Sequence, residues 1–126
     1  METPNKKEKR QPAKDKLYDL AMVESISGGD AYFIKKMVDL FIETVPQDVT
    51  ELDNGMRSEN WEQVSKMAHK LKSTIDSMGI RSIKEEIRFV EINAKQLEAL
   101  GEMPVMVEKI KTVIDGCISQ LQKDIK

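Results

Sequence analysis

The 126-residue chain is poor in several things, and each shortage excludes something. It has one cysteine, Cys117, so no internal disulfide framework can hold it, and a reducing compartment suits it. It has one histidine, His69, and one His with one Cys cannot build an ordinary zinc site without many carboxylates. No apolar run approaches the roughly 20 residues needed to span a bilayer. The first sixteen residues are charged and lack the apolar segment of a signal peptide. A cytoplasmic protein without membrane insertion is expected. There is no excess of positive charge: the net charge is -2, which gives no electrostatic reason to expect nucleic acid as a partner. No Gly-rich phosphate loop is present, because "SGG" (Ser27 to Gly29) precedes no P-loop lysine. Period-two alternation and internal repeats are also missing.

What remains is an ordinary soluble composition, with 40% hydrophobic and 33% charged residues, and room for one domain around one core. Residues 1–16 form a basic polar lead with two prolines and no apolar periodicity, expected to be a disordered tail or a linker. Residues 17–126 read as helices throughout. "LYDLAMVESI" (Leu17 to Ile26) predicts a short helix, stopped by the glycines that follow.

Asp30 is a good N-cap for the next helix, where Ile34, Met37, Val38, Phe41 and Val45 form one apolar stripe. Pro46 removes a backbone donor, so a kink or restart is expected there before the stripe resumes at Val49, Leu52 and Met56. A third helix is predicted from about Trp61 to Met78, ended by Gly79. The fourth starts near Ser82 and puts Ile83, Ile87, Val90, Ala94 and Leu97 on one face. "LGEMP" (Leu100 to Pro104) breaks the chain again, and the last helix aligns Met106, Ile110, Val113, Cys117 and Leu121. The fold class is therefore all-α. Long amphipathic helices joined by short loops predict an antiparallel up-down four-helix bundle, with the short N-terminal helix capping one end.

His69 falls on the wrong side of its helix for a core residue. At about 100° per residue, Trp61, Val64, Met67, Ala68, Leu71, Ile75 and Met78 occupy an arc of roughly 120°. His69 lies about 140° from its centre and faces water in mid-helix. Ser65, Lys72, Ser73 and Asp76 neighbour it at i-4, i+3, i+4 and i+7, with Lys66 and Lys70 flanking more loosely. An exposed imidazole is a fair nucleophile near neutral pH. A convex helix face supplies no oxyanion hole or cleft, and its backbone N–H groups are already used, which argues against a hydrolase. Such a face can still accept a phosphoryl group delivered by another protein. Lys72, one turn away, would offset the charge, and the small Ser65 and Ser73 would let a partner close over the ring.

At this point the residues resemble a family. "AHKLK" with Gly79 ten residues after the histidine is similar to the A-H-x-L-K-G pattern of histidine-containing phosphotransfer (HPt) domains, through Ala68, His69, Leu71, Lys72 and Gly79. Upstream, "GGDAYFIKKMVDLFIETVP" (Gly28 to Pro46) resembles the family's G-D-x-x-F…L-F stretch, and "ENWEQVSKMAH" its D-W-x-x-L-x-x-x-A-H approach. The resemblance covers about Leu17 to Leu97, and the last helix fits by length and periodicity only. It implies a phosphorelay intermediate in which His69 carries a phosphoryl group between receiver-domain aspartates, Lys72 neutralises its charge, and Ser65, Lys66, Lys70, Ser73 and Asp76 form the receiver-docking surface. The partners would be receiver domains of response regulators or hybrid kinases. The domain would be monomeric, free-standing or part of a hybrid sensor kinase, with no cofactor or ATP site of its own and Mg²⁺ supplied by the receiver.

Ser73 departs from the pattern, where the family usually has Gly. Asp76 is expected either to oppose a phosphate or to pair with Lys72 and hold it. Phe33, Met37 and Leu40 are expected to be buried against another helix, with an exposed docking patch beside His69 as the alternative. Trp61 is read as core or core-edge packing and Cys117 as an inert core residue. The competing functional reading is a helical module that binds a partner without being phosphorylated.

Overall fold

The computed structural model describes residues 16–125, so the basic lead lies outside the described residues apart from Lys16. Among these residues the chain is helical and has no strand. Five α-helices are present: α1 (Ala21–Ser27), α2 (Ala31–Arg57), α3 (Trp61–Ser77), α4 (Lys84–Gln96) and α5 (Met103–Ile125). Single 3-10 turns at Arg81–Ile83 and Leu100–Glu102 lead into α4 and α5. α2 packs on α3, α3 on α4, α4 on α5, and α5 returns to α2, while the short α1 rests on α2.

The apolar stripes explain this arrangement. Val38, Phe41, Val45, Val49 and Leu52 of α2 meet Val64, Ala68, Leu71 and Ile75 of α3, Ile87, Val90 and Ala94 of α4, and Val107, Ile110, Ile114, Cys117 and Leu121 of α5 in one buried cluster. Trp61 and Val113 are half-buried against that core. Burial pushes the Cys117 thiol up to about 12, so it stays a protonated apolar side chain at neutral pH. Asp30 caps α2 as expected, accepting from the Tyr32 N–H at 3.0 Å. Asn60 does the same for α3 through the Gln63 N–H at 3.2 Å.

Three expectations change. Pro46 neither ends nor restarts its helix; α2 runs through it. A mid-helix proline costs about 3 kcal/mol or more, but the stripe stays in phase on both sides of it. Val45 and Val49 are both buried, so breaking the helix would expose core. The first helix starts later than expected, at Ala21 rather than Leu17, because the backbone before it bonds elsewhere. The Leu17 N–H donates to Gln120 Oε1 at 2.8 Å, and the Asp19 N–H donates to the Met78 carbonyl at 3.0 Å. Tyr18 donates its hydroxyl to Asp124 at 2.6 Å, and Lys16 pairs with the same carboxylate, so this segment straps the end of α5. Leu97 was expected on the core face of α4 but is exposed, because it adopts a left-handed conformation (φ 58°) that ends the helix there.

Gly79 joins the strap to the bundle. It closes α3 with φ +64°, a left-handed conformation that costs other residues strain. A Cβ at this position would also overlap the Asp19 carbonyl and amide. Gly79→Ala should therefore destabilise the protein by about 1–3 kcal/mol. Thermal unfolding followed by circular dichroism checks this, and an unchanged midpoint would contradict it.

Candidate functional site

The register of α3 sets the site. Ala68 is fully buried against the core, so His69, one residue on, is turned about 100° away from it. Its side chain is 68% exposed. The same logic operates on α4: Val90 is buried, and Glu91 follows it at the boundary between core and solvent. Because α3 and α4 pack together, the two boundary positions meet.

They meet at hydrogen-bond distance. His69 Nδ1 lies 2.8 Å from Glu91 Oε2. Lys72 Nζ lies 3.1 Å from the other oxygen, Oε1. The Ser65 hydroxyl donates to the Glu91 backbone carbonyl at 3.2 Å. Ser65, His69 and Lys72 are spaced i, i+4 and i+7, so one stripe of α3 converges on one residue of α4. Burial pushes the Glu91 carboxyl up, but the hydrogen bonds from His69 and Lys72 outweigh it and hold the carboxyl below its usual range. An ionised carboxylate only accepts, so the proton in the His69–Glu91 contact sits on Nδ1. Nε2 then keeps the ring's lone pair on the solvent side of an exposed side chain.

The residues expected around His69 divide. Lys72 is beside it and is held by Glu91, which takes the place expected of Asp76. Lys66 lines an open groove of about 630 Å³ with His69, Ser65, Lys95 and Leu97. Ser73 and Asp76 are exposed, and Asp76 borders a second groove on the Lys72 side. Ser65 is half-buried and ties α3 to α4, so its hydroxyl belongs to the helix interface. Lys70 turns the other way and pairs with the buried Asp48 of α2 at 3.1 Å. Met37 is half-buried, but Phe33 and Leu40 are exposed, against the expectation of burial. These two lie beyond the stripe that α2 gives to the core.

Glu91 is the residue that sequence reasoning missed. Its only signal was its place directly after Val90 on a core stripe. Among the described residues, no group of three or more His, Cys, Asp or Glu side chains is placed to hold a metal ion. No described helix is long and apolar enough to cross a membrane.

The family comparison agrees with the geometry. The family model of the Hpt domain matches residues 36–124, well over half of the chain, and the protein belongs to that family. Hpt domains act in histidine phosphotransfer within phosphorelays, as phosphocarriers that interact with receiver domains. No curated protein and no solved structure shows a match to the chain.

The two serines should separate in a stability test. Ser65→Ala removes a part-buried hydrogen bond between α3 and α4 and should cost about 1 kcal/mol. Ser73→Ala, at an exposed position, should stay within about 0.5 kcal/mol of the parent. Urea unfolding of the two variants checks this; equal midpoints would return Ser65 to the free surface.

Proposed function

We propose that this protein is the phosphoryl carrier of a multistep phosphorelay. His69 takes a phosphoryl group on Nε2 from the aspartate of one receiver domain and passes it to the aspartate of another. The observation that carries this reading is the exposed imidazole whose Nδ1 is engaged by Glu91, leaving Nε2 open with the Lys72 ammonium one turn away. Phosphoryl transfer needs mainly positioning and charge stabilisation, and this surface offers both.

Lys72 moves between two anions in this account, the Glu91 carboxylate and the arriving phosphoryl oxygens. Lys66, Ser73 and Asp76 border the docking surface for the receiver, which brings its own Mg²⁺. The four long helices run antiparallel, up and down, as a monomeric bundle spanning 17–126. The lead before Lys16 serves as tail or linker, and the domain works in the cytoplasm. The competing reading, a bundle that binds a partner and takes no phosphate, draws on the exposed Phe33 and Leu40. It gives the convergence on Glu91 no purpose.

His69→Gln should fold with a stability change within about 0.5 kcal/mol and lose all labelling from a phosphorylated receiver. Label persisting on that variant would sink the proposal. Lys72→Ala should fold normally and slow transfer in both directions; wild-type rates would make it a plain surface lysine. Ser73→Gly should keep transfer, and cost about 0.5 kcal/mol of helix stability. Ser73→Trp should stay folded yet block exchange with the receiver by holding it away from the ring. A folded Ser73→Trp protein exchanging phosphate at the wild-type rate would move the docking surface elsewhere.

A further inference from the structure

We propose that the outer face of α4, built on Lys84, Arg88 and Ile92, selects the receiver that His69 serves. It fits a receiver that carries carboxylates around an apolar spot beside its phosphorylated aspartate. The inference rests on the reading of His69 as phosphoryl acceptor and names the chemistry of its partner.

Charge is unevenly paired on this protein. Elsewhere on the bundle cations meet carboxylates: Lys35 pairs with Asp39, Arg57 and Lys111 with Asp53, and Lys109 with Glu86. Lys84, Arg88 and Lys95 of α4 and Lys66 of α3 have no carboxylate partner among the described residues. All four border the two grooves that share Glu91. The groove along α4, of about 510 Å³, sets Lys72, Lys84, Arg88 and Lys95 against two carboxylates, Asp76 of α3 and Glu91. Glu91 is already taken by His69 and Lys72. The whole chain carries a net charge of -2, so this face is positive on a molecule that is not. Lys84 and Arg88 are spaced i and i+4, where like charges repel, and no described carboxylate pairs with either. An acidic surface laid on α4 would relieve that repulsion and be drawn to it from a distance.

Position separates this row from the phosphate. Lys66 and Lys95 line the His69 groove, while Lys84 and Arg88 stand off it. They lie two turns and one turn before Glu91 on α4, so they meet the partner's surface and not the transferred group. Ile92 is 42% exposed, on the ridge between this groove and a second one toward α5 that is lined by Phe89 and Met106. Glu85 and Glu86 border that second groove, and Glu86 is held by Lys109. An exposed apolar side chain among unpaired cations has the make-up of a small interface centre with a charged rim. The partner's charge follows from its chemistry. An aspartate phosphorylated with Mg²⁺ needs further carboxylates around it, because Mg²⁺ takes oxygen ligands. The partner therefore presents an acidic face to His69, and the α4 row extends the cationic surface that receives it.

The test measures transfer to His69 from two phosphorylated receiver domains, one of negative and one of positive net charge, over a series of salt concentrations. The full chain is used as wild type, as Lys84→Glu with Arg88→Glu, as Lys84→Gln with Arg88→Gln, and as Ile92→Ser, with circular dichroism on the same samples. Wild type should take phosphate from the acidic receiver with the larger second-order rate constant, and that constant should fall as salt rises. The Glu pair should lower it about tenfold at low salt and the Gln pair by less, and both should flatten its salt dependence. The basic receiver should gain from the Glu pair. Ile92→Ser should slow the acidic receiver by the same factor at every salt concentration. Unchanged rates in these variants, or a salt dependence that survives the charge changes, would overturn the inference while leaving His69 as acceptor. An equal loss with both receivers would also overturn it, because it would show general damage and no selection. If the Glu pair fails to fold, the Gln pair decides by the same readings. Phosphoramidate, a small donor that needs no receiver, tests the underlying function. A wild-type protein that forms no phosphohistidine with it would overturn both this inference and the function on which it rests.

Discussion

The site depends on one contact between helices: the 2.8 Å hydrogen bond between His69 on α3 and Glu91 on α4. An exposed histidine on an isolated helix would spin among rotamers and share its proton between two nitrogens. Here a carboxylate chooses the nitrogen and fixes the plane of the ring. Lys72 is recruited by the same carboxylate, at 3.1 Å, so a cation is held beside the ring. Ser65 pins the backbone that carries the carboxylate. These contacts therefore sit on two helices and involve no loop.

The rest of the fold keeps those helices in register. α3 buries Val64, Ala68, Leu71 and Ile75, and α4 buries Ile87, Val90 and Ala94. A side chain rotated out of either stripe would take His69 or Glu91 away from the other. α2 supports α3 from the opposite side, where the Lys70–Asp48 pair joins the two. The strap at Leu17 to Asp19 closes one end by bonding to Gln120 and to the carbonyl of Met78. Exposed ion pairs contribute little on their own. Most of the stability comes from the shared apolar core.

Much of this was legible in the sequence. Helical periodicity placed the core stripes, and the angle between His69 and the centre of its helix's apolar arc gave the outward histidine. Local chemistry also named Asp30 as a cap and Gly79 as a stop. What escaped was whatever depended on a second helix. Glu91 is one glutamate among many until the register between α3 and α4 is known, and periodicity within a helix says nothing of register between helices. Ser65 and Lys70 looked like free surface for the same reason, since their partners are 26 and 22 residues away. The restart offered at Pro46 does not occur, because the local backbone penalty is opposed by long-range burial on both sides of it. Leu17 and Leu97 misled at helix ends, where capping and strap contacts override the stripe.

The central claim is that Glu91 orients the ring so that phosphate forms on Nε2. Phosphorylating uniformly ¹⁵N-labelled protein and reading the phosphorus–nitrogen coupling by NMR identifies the bonded nitrogen directly. The account predicts one adduct, on Nε2 of His69, with hydrogen still on Nδ1. A phosphorus bonded to Nδ1 would mean that the Glu91 contact is absent in the reacting protein, and would contradict it.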